Sequence, residues 1–294
     1  MGIMFAVKPS ILPELPFPEY NYSREYRFII ILQDRITRET ILHPHHSMPR
    51  FYYPFPLSIA SLIELPSAIA HHISVLRLQT GDKLELFNGE GGVFVARLTS
   101  INKKNAQAEV VLFQESDCEL PFGLTLAQAL PEASKMDWII EKAVELGVMT
   151  VQPLAAQRSV VKLQAERAEK KLAHWRGIVA AATEQCGRTR IAQVSEILDV
   201  QKWLRQTDLH KRILLSPRAE LSLASWAQHQ PAQAVTLMIG PEGGFSEQEE
   251  SLALQQGVIA LSMGPRVLRT ETAGLAAISV LSAAWGGMNP SSTS

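Results

Sequence analysis

The stretch from 235 to 285 constrains this 294-residue chain more than any other. It opens on an apolar run, Val235 to Ile239, which reads as a strand and enters Gly240-Pro241-Glu242-Gly243-Gly244. Ser246 and Glu249 follow at capping-box spacing, so a short polar helix comes next. A second apolar run, Val258 to Leu261, enters a second turn, Ser262-Met263-Gly264-Pro265. Leu268-Arg269-Thr270-Glu271-Thr272-Ala273 then opens a helix that is apolar on nearly every face, and such a helix is normally buried. Glycine turns at strand C-termini let backbone approach a flat ligand closely. Gly-Pro-Glu-Gly-Gly lacks the Lys and Ser/Thr of a phosphate loop and does not fit the dinucleotide fingerprint. On the residues alone two readings stand: tight connections in an α/β domain, or a ligand site.

The length suits about two domains. Formal net charge is −1, so bulk charge gives no nucleic-acid signature and any such contact must come from a local patch. Cys118 and Cys186 lie far apart and form no CxxC, which predicts neither a disulfide framework nor a metal site and fits a reducing compartment. Phe28 to Leu32 is too short to span a membrane. The N-terminus lacks the long apolar stretch of a signal peptide, and Ala6 stands where myristoylation needs Ser or Thr. A cytoplasmic protein without metal or membrane contact is expected.

Residues 1–47 carry several prolines and the cluster His43-Pro44-His45-His46, and are expected to be an extension that packs little on the rest. Residues 48–118 read as short strands. Asp82 to Phe87 alternates, Asn88 to Gly92 is a turn, Val93 to Leu98 returns, and Ala106 to Phe113 adds a strand. A small β-barrel is predicted. Polar, acidic Gln114 to Pro121 reads as the linker. From 122 to 294 strands and helices alternate. Leu124 to Leu130, Val148 to Pro153 and Arg212 to Ser216 read as strands; Ser134 to Leu146 and Gln164 to Gln185 read as helices. That alternation predicts a mainly parallel sheet covered by helices.

G-P-E-G-G-F-S-x-x-E, followed about twenty residues later by L-x-x-G-x-x-x-L-R-T-E-T-A, resembles the RsmE family. These are bacterial 16S ribosomal RNA methyltransferases acting on uracil N3, within the SPOUT superfamily. The resemblance extends through Lys135 to Val148, Arg158 to Val160 and Ala181 to Arg188, and covers roughly residues 48 to 286. It implies an α/β fold in which a C-terminal SPOUT methyltransferase domain, threaded as a trefoil knot, follows an N-terminal PUA-like β-barrel that binds RNA. It also implies S-adenosylmethionine as cofactor, 16S ribosomal RNA or the small subunit as partner, and a homodimer. By the same resemblance the cofactor lies against three loops: Leu215 to Pro217; Ile239, Gly240, Pro241, Glu242, Gly243 and Gly244; and Leu261, Met263 and Gly264 running on through Leu268, Arg269, Thr270, Glu271 and Ala273. Glu271 is either a carboxylate near the cationic sulfonium or a first-turn acid favoured by the helix dipole.

Between Arg158 and Arg190 eight basic residues face only three acids, a local patch suited to RNA phosphate. Glu166 and Lys170 in that stretch fit an i,i+4 pair. For the uracil the candidates are Arg158, Glu184, Gln185 and Arg188: glutamine for the base edge, arginine for phosphate or a uracil anion, Glu184 for the proton. Glu184 can instead hold Arg188, its i+4 neighbour. In the barrel, Arg50 and Arg77 can pair bidentately with phosphate; His71 and His72 either contact RNA or pack beside Leu76. Two competing functions remain open. One is an RNA-binding or ribosome-assembly module without catalysis. The other is a Rossmann-type nucleotide enzyme, which the missing G-x-G-x-x-G disfavours.

Overall fold

The computed structural model describes residues 48–102, 105–132, 135–159 and 165–289. The expected extension 1–47, with His43 to His46, lies outside the described residues, as do Ser134, Lys162 and Gln164 and the side chain of Glu166. From Met48 onward the chain forms one compact unit.

Five strands make the first sheet: β1 (Arg50–Tyr52), β2 (Leu62–Leu65), β3 (Lys83–Phe87), β4 (Val93–Ile101) and β5 (Ala106–Gln114). Their order is β1-β3-β4-β5-β2, with helix α1 (Ser67–Val75) packed against them. Alternation dictates the hairpin. Leu84 and Leu86 of β3 are buried beside Ala96 and Leu98 of β4, while Lys83 and Arg97 point outward. Register shifts at Val95/Ala96 and Leu98/Ser100 bend the long β4–β5 ribbon, and the sheet curls as a half-barrel around Phe51, Ile69, Ile73 and Leu84. β1 joins this sheet in parallel with β3, a pairing that no local pattern announces.

The second sheet is parallel throughout. Its strands are β6 (Leu124–Ala129), β7 (Thr150–Ala155), β8 (Gln193–Val194), β9 (Leu198–Asp199), β10 (Lys211–Leu215), β11 (Val235–Ile239) and β12 (Ile259–Leu261). The order is β12-β10-β11-β6-β7-β8, with β9 also pairing β7. The helices are α2 (Lys135–Glu145), α3 (Ala165–Cys186), α4 (Val200–Leu204), α5 (Leu223–Gln228), α6 (Glu247–Gln255) and α7 (Thr270–Ala284). Successive strand residues serve opposite faces. Ile213, Leu237 and Leu126 pack under α2, α3, α5 and α7; Leu214, Met238 and Ala127 pack under α4 and α6. Strands covered on both faces read as near-continuous apolar runs, which is why β6 and β11 are legible in the sequence despite Thr125, Gln128 and Thr236. β11 is buried along its whole length.

Candidate functional site

The cavity at the C-terminal ends of β10, β11 and β12 has a volume of about 590 Å³. The β11–α6 loop enters it with the predicted capping box in place: the Ser246 hydroxyl accepts from Glu249 N–H, and the Glu249 carboxylate accepts from Ser246 N–H. That cap fixes where the loop must end. Gly240 is the tightest point of the loop. A Cβ there would sit 3.1 Å from Gly244 Cα and 3.2 Å from Phe245 N, so main chain fills the space a side chain would take. Gly244 adopts φ +66°, a conformation glycine reaches without strain. Gly243 is less constrained, because its added Cβ would meet Arg158 at an ordinary 3.5 Å.

Leu215, Ile239 and the whole of 240–244 line the cavity, together with Met263, Gly264, Leu268, Arg269, Thr270, Glu271 and Ala273. Leu261 does not. It is fully buried in the core under the sheet, because an apolar residue inside a covered parallel strand points into a helix layer. Arg158 lines the cavity and donates from Nη1 to the Gly243 carbonyl at 2.9 Å and the Phe245 carbonyl at 3.3 Å. Sequence reasoning missed Lys135, Arg218, Phe245, Glu250, Arg266 and Val267, which also line it. Lys135 carries no local signal, since it reaches the cavity from the start of α2, whereas Arg218 directly follows the nominated loop Leu215 to Pro217. Lys135 Nζ bonds Glu242 Oε1 at 2.7 Å, and that oxygen also accepts from Glu132 N–H. Burial pushes the Glu242 carboxyl upward, but the Lys135 and Glu132 hydrogen bonds outweigh it and hold the group below its usual range. Across the mouth, Arg218 pairs with Glu250. Glu271 Oε2 is buried without a hydrogen-bond partner among the described residues.

The other nominated residues lie elsewhere. Arg188 is 3% exposed, and its guanidinium is spent on the Glu119 carboxylate and the carbonyls of Val144 and Val148. Four of its five N–H donors are held inside the protein and the side chain is buried, so it is not part of an exposed basic patch, and the carboxylate it pairs with is Glu119 rather than Glu184. Glu184 accepts from Tyr52 N–H at 2.7 Å and so ties α3 to β1. Desolvation raises its pKa, partly offset by that amide and by the Arg50 charge. Gln185 is exposed at the end of α3. None of the three lines the cavity among the described residues.

Arg50 was expected on an RNA surface, but it spans the same joint. Its Nη2 donates to the Arg188 carbonyl, and the guanidinium lies 4.6 Å from the Phe87 ring centroid. Arg190 Nη1 bonds the Glu90 carbonyl. Arg77 is exposed with φ +56°, while His71 is exposed and His72 packs edge-on against Phe51 at 5.2 Å. Burial, then the neighbouring His71 charge, lowers the His72 pKa. Among the described residues no group of His, Cys, Asp and Glu is arranged to hold a metal. No helix there is long and apolar enough to cross a membrane.

Comparison with known proteins decides the family. A family model for an RNA methyltransferase domain matches residues 118–282, and one for an RNA methyltransferase PUA domain matches 65–111. Ribosomal RNA small subunit methyltransferase E of Buchnera aphidicola subsp. Schizaphis graminum is 34% identical over 244 residues, spanning 82% of this chain and 98% of that protein. The chain belongs to the ribosomal RNA small subunit methyltransferase E family. The Bacillus subtilis member is 34% identical over 221 residues, 73% of this chain and 86% of its own length. Among solved structures, the Neisseria gonorrhoeae member bound to S-adenosyl methionine aligns at TM-score 0.76 and 38% identity, covering 81% of this chain and 98% of that one. A Legionella pneumophila methyltransferase solved with its bound cofactor SAM aligns at TM-score 0.76 and 36% identity, with the same coverage. The fold of these methyltransferases, a PUA-like half-barrel followed by an α/β domain, is therefore the fold of this chain.

Proposed function

We propose that this chain transfers the methyl group of S-adenosylmethionine to N3 of a uridine in 16S ribosomal RNA. The observation that carries this reading is the glycine-walled cavity at the ends of β10, β11 and β12 in a member of this family. Its volume suits a ligand of that size. The residues fit the group in two ways. Gly240 lets the loop close on its own backbone, and with Gly243 and Gly244 it walls the cavity without side chains. Glu271 Oε2, buried and without a hydrogen-bond partner among the described residues, offers an acceptor to a cation, which a sulfonium is.

S-adenosylmethionine supplies, when bound, an electrophilic methyl on a positively charged sulfur. The chain must bring uracil N3 into line with it, and such alignment is worth about 7–11 kcal/mol. N3 becomes nucleophilic as its N–H bond breaks; the proton leaves to a base or to solvent, and the N–C bond forms as the methyl departs. Arg158, exposed at the cavity mouth and aimed by the Gly243 and Phe245 carbonyls, is placed to stabilise the charge that develops on the uracil. Gln185 remains a candidate for the base edge in a homodimer whose second copy completes the site. Leu275 and Val280 of α7, packed against the core but only partly buried, are compatible with that assembly. Exposed Arg77 on the half-barrel and Arg167 and Arg176 on α3 are the candidates for RNA phosphate. We assign 48–118 to RNA binding and 122–294 to methyl transfer. β12 pairing beyond β10, with α7 returning under β11, supports threading as a trefoil knot.

Incubation with methyl-labelled S-adenosylmethionine and 16S ribosomal RNA or small subunits, followed by nucleoside mass spectrometry, tests the reading. The expected product is 3-methyluridine. Label on another atom or base, or no label on either substrate, overturns it.

A further inference from the structure

We infer that Gln128, outside the cavity lining, is a positioning residue that locks two of the cofactor loops to each other. The inference rests on the S-adenosylmethionine reading of the cavity. Gln128 stands at the C-terminal end of β6, where polar residues are uncommon, and is 0% exposed. Its Nε2 donates to the Ala129 carbonyl and to Thr270 Oγ1, both at 2.9 Å. Thr270 Oγ1 donates in turn to the Gly240 carbonyl at 2.6 Å.

Proton counting fixes the direction of this relay. A carbonyl only accepts, so the single Thr270 hydroxyl proton goes to Gly240. Thr270 Oγ1 must then receive its bond from Gln128, and the Ala129 carbonyl also requires an N–H. Both demands fall on the same amide nitrogen. The amide therefore cannot flip, even though this leaves Gln128 Oε1 buried without a partner. An unmet buried acceptor lowers stability. The arrangement spends that stability to hold Gly240, the tightest point of one loop, against Thr270, the first residue of α7 and part of another. Gly274 lets the helix come this close, since a Cβ there would already lie 3.3 Å from Leu126 Cδ1 and 3.5 Å from Ile239 Cγ1.

Gln128→Met keeps the shape, removes the donor and also removes the unpartnered oxygen. Calorimetry with S-adenosylmethionine should show binding about tenfold weaker or worse, while the melting temperature of the ligand-free protein stays near the parent value. Thr270→Val should weaken binding similarly, and Thr270→Ser should restore it. The Gln128→Met/Thr270→Val pair should be no weaker than Thr270→Val alone, because both changes break one relay. Parent-like affinity in Gln128→Met, or additive losses in the pair, overturns the inference and leaves the cavity assignment standing. Failure of the parent protein to bind S-adenosylmethionine overturns both.

Discussion

At the residue scale, glycines of one loop are not equivalent. Gly240, Gly243 and Gly244 look alike in the sequence, and only geometry ranks them. A methyl on Gly240 would strike the backbone of Gly244 and Phe245, which cannot rotate away. A methyl on Gly243 would meet the Arg158 side chain at ordinary contact distance. Gly240→Ala should therefore cost about 1–3 kcal/mol through overpacking and weaken S-adenosylmethionine binding at least about tenfold. Gly243→Ala should leave affinity within about threefold of the parent, a change worth less than about 0.7 kcal/mol. Calorimetry on the two variants checks the ranking, and equal losses would refute it. Arg188 shows the opposite limit of sequence reading. A cationic side chain among other cations suggests a phosphate contact, and nothing nearby in the chain reveals that Glu119 reaches it. Long-range pairing of that kind has no local signature, whereas a capping box spans four consecutive residues and is legible without the fold.

At the element scale, the joint between the half-barrel and the parallel sheet rests on β1 and the end of α3. Tyr52 N–H bonds Glu184, Arg50 reaches the Arg188 carbonyl, and Arg190 reaches Glu90. Glu184 is desolvated there, and its folded pKa lies above the ordinary 4.5. For an acid shifted upward, folding is most favoured while the group is protonated in both states. That contribution is lost as pH climbs from the ordinary value through the raised one. Glu184→Gln keeps an acceptor for Tyr52 N–H and removes the charge. Its melting temperature should exceed the parent's at mildly alkaline pH, and the difference should shrink as pH falls towards 4.5. A gap that is constant across that range would show that burial of the charge is not what strains the joint. The strands on either side of this joint were readable because alternation marks β3 and β4, and mostly apolar runs, interrupted only by Thr125, Gln128 and Thr236, mark β6 and β11. The parallel β1–β3 pairing and the place of β12 beyond β10 were not readable, since strand order depends on packing across the whole sheet.

At the scale of the whole molecule, the chain is longer than several of the relatives it matches. The Neisseria gonorrhoeae structure covers 81% of this chain while 98% of that protein is aligned, and the family models begin only at residue 65. From Met48 the described chain already holds what the half-barrel needs. Pro49 accepts from Glu85 N–H, β1 pairs with β3 from Arg50 onward, and Phe51 is 1% exposed in the core. The cavity draws its lining from Lys135 to Ala273, and the relay through Gln128 lies within the parallel sheet. If fold and donor site both reside in 48–294, a chain beginning at Met48 should melt cooperatively at the parent temperature and bind S-adenosylmethionine within about twofold, a difference of less than about 0.5 kcal/mol. Ribosomal RNA affinity, measured on the same protein across a salt series, then isolates any contribution of 1–47. An unchanged slope places every phosphate contact after residue 47, and a shallower slope assigns lost contacts to the removed segment. Aggregation of the shortened chain, or loss of donor binding, would show that the first 47 residues belong to the folded unit and that the assigned boundary is wrong.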